Sequence, residues 1–360
     1  MKYEIHVSDM KAFLECRRKW NWSSILRGNL ERKMVYAPFF TGRLVHYCLQ
    51  VYYEQGILPS ESLPRWVNQE VSKMATVGPL WPVEQDTIDE QVSLAEGILD
   101  HYVMWARSER GPWADRNLEF IALETEFSVP LRTANGRSSP KVYLGGRFDG
   151  LVRRKDNGTF WLLETKTTRS VKELLDSLEN EFQPGVYIYA TRELMGWPVS
   201  GVLYNILRKK VPTTPRLLNN GMLSQDKRID TTAVHYLQAI REAHPDLDED
   251  EITALYGDML NHLMSDMENP FFARVAIRRT PKEIDQLAED VWRIALDMTK
   301  PNIHIYPYPD WFKCKRCAFR APCLAMNAGA DYELILQSEY RTRGTWDVEE
   351  ADYANELTNS

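Results

Sequence analysis

The stretch that decides the fold is 141–167, which reads KVYLGGRFDGLVRRKDNGTFWLLETKT. Residues 141–154 and 159–167 each alternate in the manner of a strand, and the Asn157-Gly158 pair between them is a strong turn signal. The apolar run 160–163 is typical of a buried central strand. The stretch therefore predicts a β-hairpin whose second strand lies inside a sheet.

Polar side chains with a definite chemistry sit on this hairpin. Pairing of its strands brings Asp149 beside Glu164, and strand alternation puts Lys166 on the same face as Glu164. Two close carboxylates repel each other, and a divalent cation removes that cost. The arrangement favours a magnesium or manganese site. The alternative is an exposed Glu/Lys pair beside a turn aspartate, which would give the same sequence pattern.

The sequence on either side of the hairpin predicts an α/β protein. Two further runs, 119–130 and 199–208, alternate like strands. Helical patterns cover 7–30, 41–54, 60–75, 84–108 and 170–195, two or three more helices fall between 230 and 300, and 209–230 reads as a long polar loop. Glu124 and Glu126 on the strand 119–130 are expected near the site, in either a ligand-bonding or a purely structural role.

Composition excludes several classes of protein. The chain has 360 residues, enough for about two domains or one large decorated domain. Its 44% hydrophobic content excludes a mostly disordered chain, and its net charge of −7 argues against a uniformly basic coat for duplex nucleic acid. With no long apolar run and no apolar segment near the N-terminus, we expect a cytoplasmic protein without a membrane partner.

The cysteines indicate a metal centre. Cys314, Cys317 and Cys323 form a C-x2-C-x5-C pattern, which supplies three thiols within ten residues. A closed four-sulfur site needs a fourth ligand, for which Cys16 is the candidate and Cys48 the competitor. The cysteine spacing does not distinguish a zinc site from an iron–sulfur cluster. The alternative to a metal site is a set of ordinary buried thiols.

The motifs GRFDG and LLETKT together resemble the PD-(D/E)XK nuclease superfamily. Upstream, TGRLVH with His46, and downstream, Gln183 with Tyr187, resemble its RecB-like branch. The resemblance implies a restriction-endonuclease-like core, a mixed β-sheet flanked by helices, with helical elaborations. It implies that Mg²⁺ or Mn²⁺ is held by His46, Asp149, Glu164 and the backbone carbonyl of Thr165, and that the catalytic residues are Asp149, Glu164, Lys166, Gln183 and Tyr187.

One cysteine near the start and three near the end resemble the AddB-type nucleases and the CRISPR-associated and phage RecB-family exonucleases. That resemblance covers roughly 8–324. It implies a [4Fe–4S] cluster on Cys16, Cys314, Cys317 and Cys323, which would staple the N- and C-terminal regions together, with Zn²⁺ as the alternative metal. Cys48 is then expected to be an ordinary buried thiol.

These observations predict a division of the chain into five regions. They are an N-terminal helical region 1–118 with the first cluster cysteine and the metal-ligand histidine, the nuclease core 119–208, a loop and helical region 209–305, the three-cysteine region 306–344, and a disordered acidic tail 345–360.

The predicted function is metal-dependent hydrolysis of DNA, exonucleolytic and directed at single strands or frayed ends, in end processing for recombination or repair. The expected backbone contacts are Arg17, Arg18, Lys19, Arg43, Arg147, Arg208, Lys209 and Lys210, and the rings expected to stack on bases are Trp20, Trp22, Tyr187 and Tyr189. The alternative is a non-cleaving DNA-binding scaffold that partners a helicase or a recombinase, since the chain has no P-loop motif of its own.

Overall fold

The computed structural model describes residues 2–33, 37–75, 82–265 and 270–343. The predicted acidic tail 345–360 lies outside these residues. In the part that is described, none of the helices combines the length and the apolar character needed to cross a membrane.

Strands and helices are mixed along the described chain. The strands are β1 (Tyr3–His6), β2 (Leu30–Arg32), β3 (Leu118–Arg132), β4 (Ser138–Arg154), β5 (Phe160–Thr168), β6 (Val199–Arg208), β7 (Phe272–Arg278) and β8 (Tyr340–Thr342). The helices are α1 (Val7–Glu15), α2 (Arg17–Ser23), α3 (Ala37–Gln55), α4 (Pro59–Ala75), α5 (Pro82–Ser108), α6 (Val171–Leu175), α7 (Phe182–Met195), α8 (Ala233–Ala243), α9 (Glu249–Ser265), α10 (Pro281–Met298), α11 (Trp311–Arg316), α12 (Arg320–Asn327) and α13 (Tyr332–Glu339).

The main sheet is organised around β4, to which three strands are hydrogen-bonded. β3 pairs antiparallel along most of β4, β1 pairs parallel with Val142–Gly145, and β5 pairs antiparallel with Gly150–Arg153. β6 then joins β5 in parallel, and β7 joins β6 antiparallel. The predicted hairpin is present, and Gly158 turns it with a φ of 70°. The sheet is thus mixed, as the fold class requires.

Two large cores cover the sheet. The first joins the sheet to α1, α7 and α10 and includes Trp20, Leu162 and Tyr204. The second packs α3, α4 and α5 together with Leu207 and Phe272 from the sheet. A smaller cluster of Trp22, Phe319 and Tyr340 joins the two ends of the chain, where β2 pairs with β8.

The structure differs from the sequence predictions at three places. β1 and β7 belong to the sheet although they lie outside the predicted core range 119–208, because short strands at the sheet edge carry a weak pattern. The helix predicted over 7–30 is two short helices joined at Cys16. The helix predicted over 170–195 is broken into α6, a 3-10 turn at Leu178–Asn180, and α7.

Candidate active site

Three potential metal ligands converge where α3 crosses the sheet. One ligand atom each from His46 on α3, Glu124 on β3 and Asp149 on β4 lie within 4.8 Å of one another. The Nδ1 atom of His46 is 3.5 Å from Oε1 of Glu124 and 3.5 Å from Oδ1 of Asp149. A small cleft at this point is also lined by Tyr53 and Thr165. Imidazole and carboxylate groups are a donor set that suits a divalent ion.

Glu124 reaches this cluster through an unusual backbone conformation. Its φ is 42°, a left-handed value that is rare for a non-glycine residue within a strand. Its other carboxylate oxygen, Oε2, is 3.1 Å from Nε of Arg147 on β4. Glu126, two residues further along the strand, is exposed instead. Backbone strain of this kind is held in place by the surrounding structure and is common at functional sites.

The electrostatics of the cluster favour a bound cation. Burial raises the pKa of Asp149 to about 6, and the nearby Glu124 adds to the rise, against the opposing influence of His46 and the Thr165 amide. Burial by itself would lower the pKa of His46, but Asp149 and Glu124 raise it overall. A divalent ion would stabilise both carboxylates in their charged form.

The predicted Glu164 and Lys166 pair lies beside this cluster. Nζ of Lys166 is 2.8 Å from Oε1 of Glu164 and 3.2 Å from Oε1 of Glu181, and both Glu164 and Lys166 are buried. The amide of Thr165, between them, donates a 2.7 Å hydrogen bond to Oδ2 of Asp149. The two sets of side chains are therefore joined through one residue of β5.

Glu181 was not expected from the sequence. It directly precedes α7, and it faces Lys166 because the predicted helix 170–195 is interrupted just before it. Pro184 occupies the first turn of α7, where its missing amide donor costs nothing. That proline is the one sequence signal that could have suggested a helix start here.

Gln183 and Tyr187 share a face of α7, as their spacing predicts. Nε2 of Gln183 donates a 3.1 Å hydrogen bond to the Tyr187 hydroxyl, and both side chains are buried. Oε1 of Gln183 accepts a 2.7 Å hydrogen bond from Nζ of Lys11 on α1. The pair thus ties α7 to α1 next to the Lys166 side of the site.

The four predicted cluster cysteines occupy one corner of the molecule. Sγ of Cys16 accepts a hydrogen bond from the Tyr308 amide at 3.4 Å, and Sγ of Cys323 accepts one from Arg18 at 3.3 Å. Sγ of Cys314 accepts one from the amide of Asp310 at 3.4 Å. Hydrogen bonds from N–H groups stabilise thiolate sulfur, so the corner fits a sulfur-ligated metal centre.

Cys317 completes this corner, and Cys48 does not belong to it. Burial raises the pKa of Cys317, and the nearby Cys16 adds to the rise. Among the residues that the structure describes, no three cysteine sulfur atoms lie within 4.8 Å of one another. Cys48 is fully buried in the core of α3, α4 and α5, and burial raises the pKa of its thiol to about 11.

Most cations predicted to contact DNA have acidic partners in the structure. The ion pairs are Lys19 with Glu15, Arg43 with Glu70, Arg147 with Glu124, and both Arg208 and Lys210 with Asp230. The guanidinium of Arg17 lies 3.3 Å from the centre of the Phe13 ring, and Arg18 bonds to Cys323 and Asn327. Burial lowers the pKa of Lys209 to about 8, and Arg169 adds to that lowering.

The aromatic side chains predicted to stack on bases are not available for it. Trp20, Trp22, Tyr187 and Tyr189 are all buried, with at most 6% of any of them exposed. The rings instead belong to the hydrophobic cores that join α1, α2 and α7 to the rest of the fold. That part of the prediction is wrong.

Comparison with known families gives one match that spans most of the chain. The model of the PD-(D/E)XK nuclease superfamily matches residues 4–324. Comparison with curated proteins gives no significant match. The matched range contains His46, Asp149, the Glu164-Thr165-Lys166 triplet and all four cysteines of the corner. The chain therefore belongs to the PD-(D/E)XK nuclease superfamily.

Proposed function

We propose that this protein is a Mg²⁺- or Mn²⁺-dependent deoxyribonuclease of the RecB-like branch. The observation that carries the proposal is the convergence of His46, Glu124 and Asp149 beside the buried pair of Glu164 and Lys166. A buried acid pair next to a histidine and a lysine is costly for the fold, and a metal-dependent phosphodiesterase is the function for which this arrangement is useful.

The residues that would hold the ion are His46, Asp149 and Glu164 with the Thr165 carbonyl, as the resemblance implies, and Glu124 is a further donor that the structure adds. A bound divalent ion supplies polarisation of the phosphate and lowers the pKa of water. These side chains suit magnesium or manganese because their ligand atoms are carboxylate and carbonyl oxygens with one imidazole nitrogen.

The protein's own side chains orient the other groups. Lys166, held between Glu164 and Glu181, offers an ammonium group that would stabilise the negative charge developing on a phosphate bound at the metal. The Thr165 amide holds Asp149 through Oδ2, which fixes the direction of the carboxylate. Gln183 and Tyr187 hold the start of α7, and with it Glu181, against α1.

The cysteine corner supports a structural [4Fe–4S] cluster on Cys16, Cys314, Cys317 and Cys323. Three of the four sulfurs accept N–H hydrogen bonds, which suits thiolate ligands. Iron and zinc analysis of the anaerobically purified protein separates this proposal from a zinc site. Stoichiometric zinc without iron would overturn it.

The substrate we propose is DNA with a free single-stranded end, processed in the cytoplasm during recombination or repair. The test uses end-labelled single-stranded, duplex and closed circular single-stranded DNA, with Mg²⁺, Mn²⁺ or EDTA. Linear single strands should be degraded only with added metal, and closed circles should resist. Full activity in EDTA would overturn the metal requirement, and equal cleavage of circles would show an endonuclease.

The same assay distinguishes this proposal from the rival function, a non-cleaving scaffold for a helicase or recombinase. Glu164 and Lys166 are both present and paired in the structure, which favours an intact catalytic site. Binding of DNA without cleavage under any metal condition would favour the scaffold.

A further inference from the structure

The segment before the C-terminal cysteines exposes several aromatic rings to solvent. Trp311 is 85% exposed, Tyr308 62%, Tyr306 54% and Phe312 36%. We call these four residues the aromatic platform. The tryptophans and tyrosines that were predicted to stack on bases are buried, whereas these four rings face solvent. Exposed aromatic residues in one short segment indicate a binding surface.

Exposed cations flank the platform on its C-terminal side. Lys313, Lys315, Arg316 and Arg320 are exposed and follow it directly in the chain. The guanidinium of Arg316 lies 4.2 Å from the centre of the Phe312 ring. In residues 304–320 the only acidic residue is Asp310, which caps the start of α11 through the Lys313 amide. The segment is therefore basic on a chain whose net charge is −7.

The platform is fixed to the rest of the fold by backbone contacts. The amide of Arg18 donates a 3.2 Å hydrogen bond to the carbonyl of Tyr306, and the amide of Tyr308 donates to Sγ of Cys16. Its position is thus set by the junction of α1 and α2. A preorganised surface loses less entropy when it binds than a free segment does.

The same junction leads to the active site. Cys16 directly follows α1, and Lys11 on that helix bonds to Gln183 at the start of α7. Cys16 comes five positions after Lys11, which at about 1.5 Å per residue is about 7.5 Å along the axis of α1. Glu181, two residues before Gln183, contacts Lys166. The helix α1 therefore links the platform to the start of α7, where Glu181 contacts Lys166.

We infer that the aromatic platform and its flanking cations bind single-stranded nucleic acid and present it to the active site, an inference that rests on the proposed nuclease function. Stacking on exposed rings together with neutralisation of phosphates is how proteins hold single strands without reading their sequence. The basic charge of the segment favours a polyanion over a protein partner, for which apolar rings alone would suffice.

The experiment measures binding of a fluorescein-labelled oligothymidylate by anisotropy, in EDTA so that no cleavage occurs. Trp311→Ala in the full-length protein should raise the dissociation constant about tenfold or more, while Trp311→Phe, which keeps a ring, should raise it much less. Lys315→Ala should weaken binding and reduce the slope of log affinity against log salt by about 0.7, as loss of one phosphate contact does.

Two variants serve as controls. Leu217→Ala removes a comparably exposed apolar side chain in the segment after β6, and Lys282→Ala removes an exposed cation on α10. Both should bind like the unaltered protein. Because Trp311 is 85% exposed, its removal should leave the denaturation midpoint unchanged.

The outcomes separate the two proposals. If the unaltered protein cleaves DNA but Trp311→Ala and Lys315→Ala bind as tightly as it does, the platform inference is wrong and the nuclease function stands; the platform would then suit a protein partner. If the unaltered protein neither binds nor cleaves single strands, both proposals fail.

Discussion

The carboxylate site and the cysteine corner are built in opposite ways. The site is formed by neighbouring strands and a helix that packs on them, and Glu164, Thr165 and Lys166 are at most 5% exposed. The corner is formed by short helices from the two ends of the chain, and its largest buried residues are Trp22, Phe319 and Tyr340. Strand pairing places the first set of side chains, whereas the second set depends on closing a very long loop.

This difference indicates what a metal would contribute in each region if the proposed sites are occupied. The sheet register holds the strand residues of the carboxylate site in place without an ion, so an ion bound there would serve chemistry. In the corner, Cys16 and Cys314 are separated by about 300 residues, and closing such a loop costs on the order of 5 kcal/mol in chain entropy. The proposed cluster, bonded to both ends, would offset that cost, so a metal there would serve stability.

The largest effect is expected at the carboxylate site, from Asp149→Asn. Cleavage should fall about a thousandfold or more, because the variant loses the negative charge that faces His46 and that would bind the proposed metal ion. The free energy of unfolding at pH 8 should not fall, since burial and Glu124 raise the pKa of Asp149 to about 6 and disfavour its charged form. Cleavage rates and urea denaturation check both statements.

The matched control is Glu126→Gln, an exposed glutamate on the same strand as Glu124. It should cleave normally. Undiminished cleavage by Asp149→Asn would show that the site lies elsewhere, and a large loss of stability would show that the carboxylate is structural.

The second effect concerns the corner. Cys16→Ala should lose the iron–sulfur absorbance and lower the free energy of unfolding by roughly 2–4 kcal/mol, less than the full cost of closing the loop. The ends remain joined by the pairing of β2 with β8 and by the Trp22 and Phe319 contact. Iron content and denaturation under anaerobic conditions measure both quantities.

Cys48→Ala is the comparison for that variant. Its thiol lies in a different core, so the cluster should be retained and about 1 kcal/mol or less should be lost. Loss of iron in Cys48→Ala with retention in Cys16→Ala would reverse the ligand assignment.

A smaller effect is expected from Glu181→Gln. Lys166 forms ion pairs with both Glu164 and Glu181. Without the charge of Glu181, the ion pair between Lys166 and Glu164 should become stronger, which makes Glu164 less available to a metal ion. The Mg²⁺ concentration for half-maximal cleavage should rise about fivefold, as expected for an interaction of about 1 kcal/mol. Calorimetric Mn²⁺ binding should weaken in parallel.

Glu179→Gln, which alters an exposed glutamate two residues earlier, should leave the metal requirement unchanged. An identical metal titration for Glu181→Gln and the unaltered protein would contradict the idea that Glu181 shares the lysine.

The smallest effect lies away from both regions, where His101 on α5 packs against His235 on α8 with ring centres 4.3 Å apart. Burial lowers the pKa of His101 to about 4, and the neighbouring His235 adds to this. The unfolded chain therefore binds more protons between about pH 6.5 and pH 4, so this contribution to stability is present above pH 6.5 and is lost as the pH falls through that window.

His101→Phe keeps a ring at this contact and removes its titration. The variant should lose less stability than the unaltered protein between pH 7 and pH 5, as measured by denaturation midpoints at the two pH values. An identical pH dependence would show that the histidine pair does not contribute.

Features that depend on neighbouring residues in the chain could be predicted well. The Asn157-Gly158 turn and the two-residue period of strands place Asp149 beside Glu164 and align Lys166 with Glu164, and the structure has this arrangement. The spacing of Gln183 and Tyr187 on one helix face was equally local.

Features that depend on distant partners could not be predicted. Glu124 and Glu126 are equivalent in the sequence, and only the backbone turn at φ 42° and the approach of α3 select Glu124. Arg208 and Lys210 read as free cations until Asp230, some twenty residues away, is seen to pair with them. The aromatic platform could likewise not be predicted, because the exposure of a ring depends on which residues pack over it in the folded protein.

The sequence by itself determined the hairpin, the order of the site residues on β4 and β5, and the cysteine pattern, because turn chemistry, strand period and ligand spacing act over a few residues. Only the tertiary structure decided which glutamates enter the site, which aromatic rings are buried and which cations remain exposed. Those outcomes depend on burial and on charges brought together from distant parts of the chain, and both arise only when helices pack on the sheet.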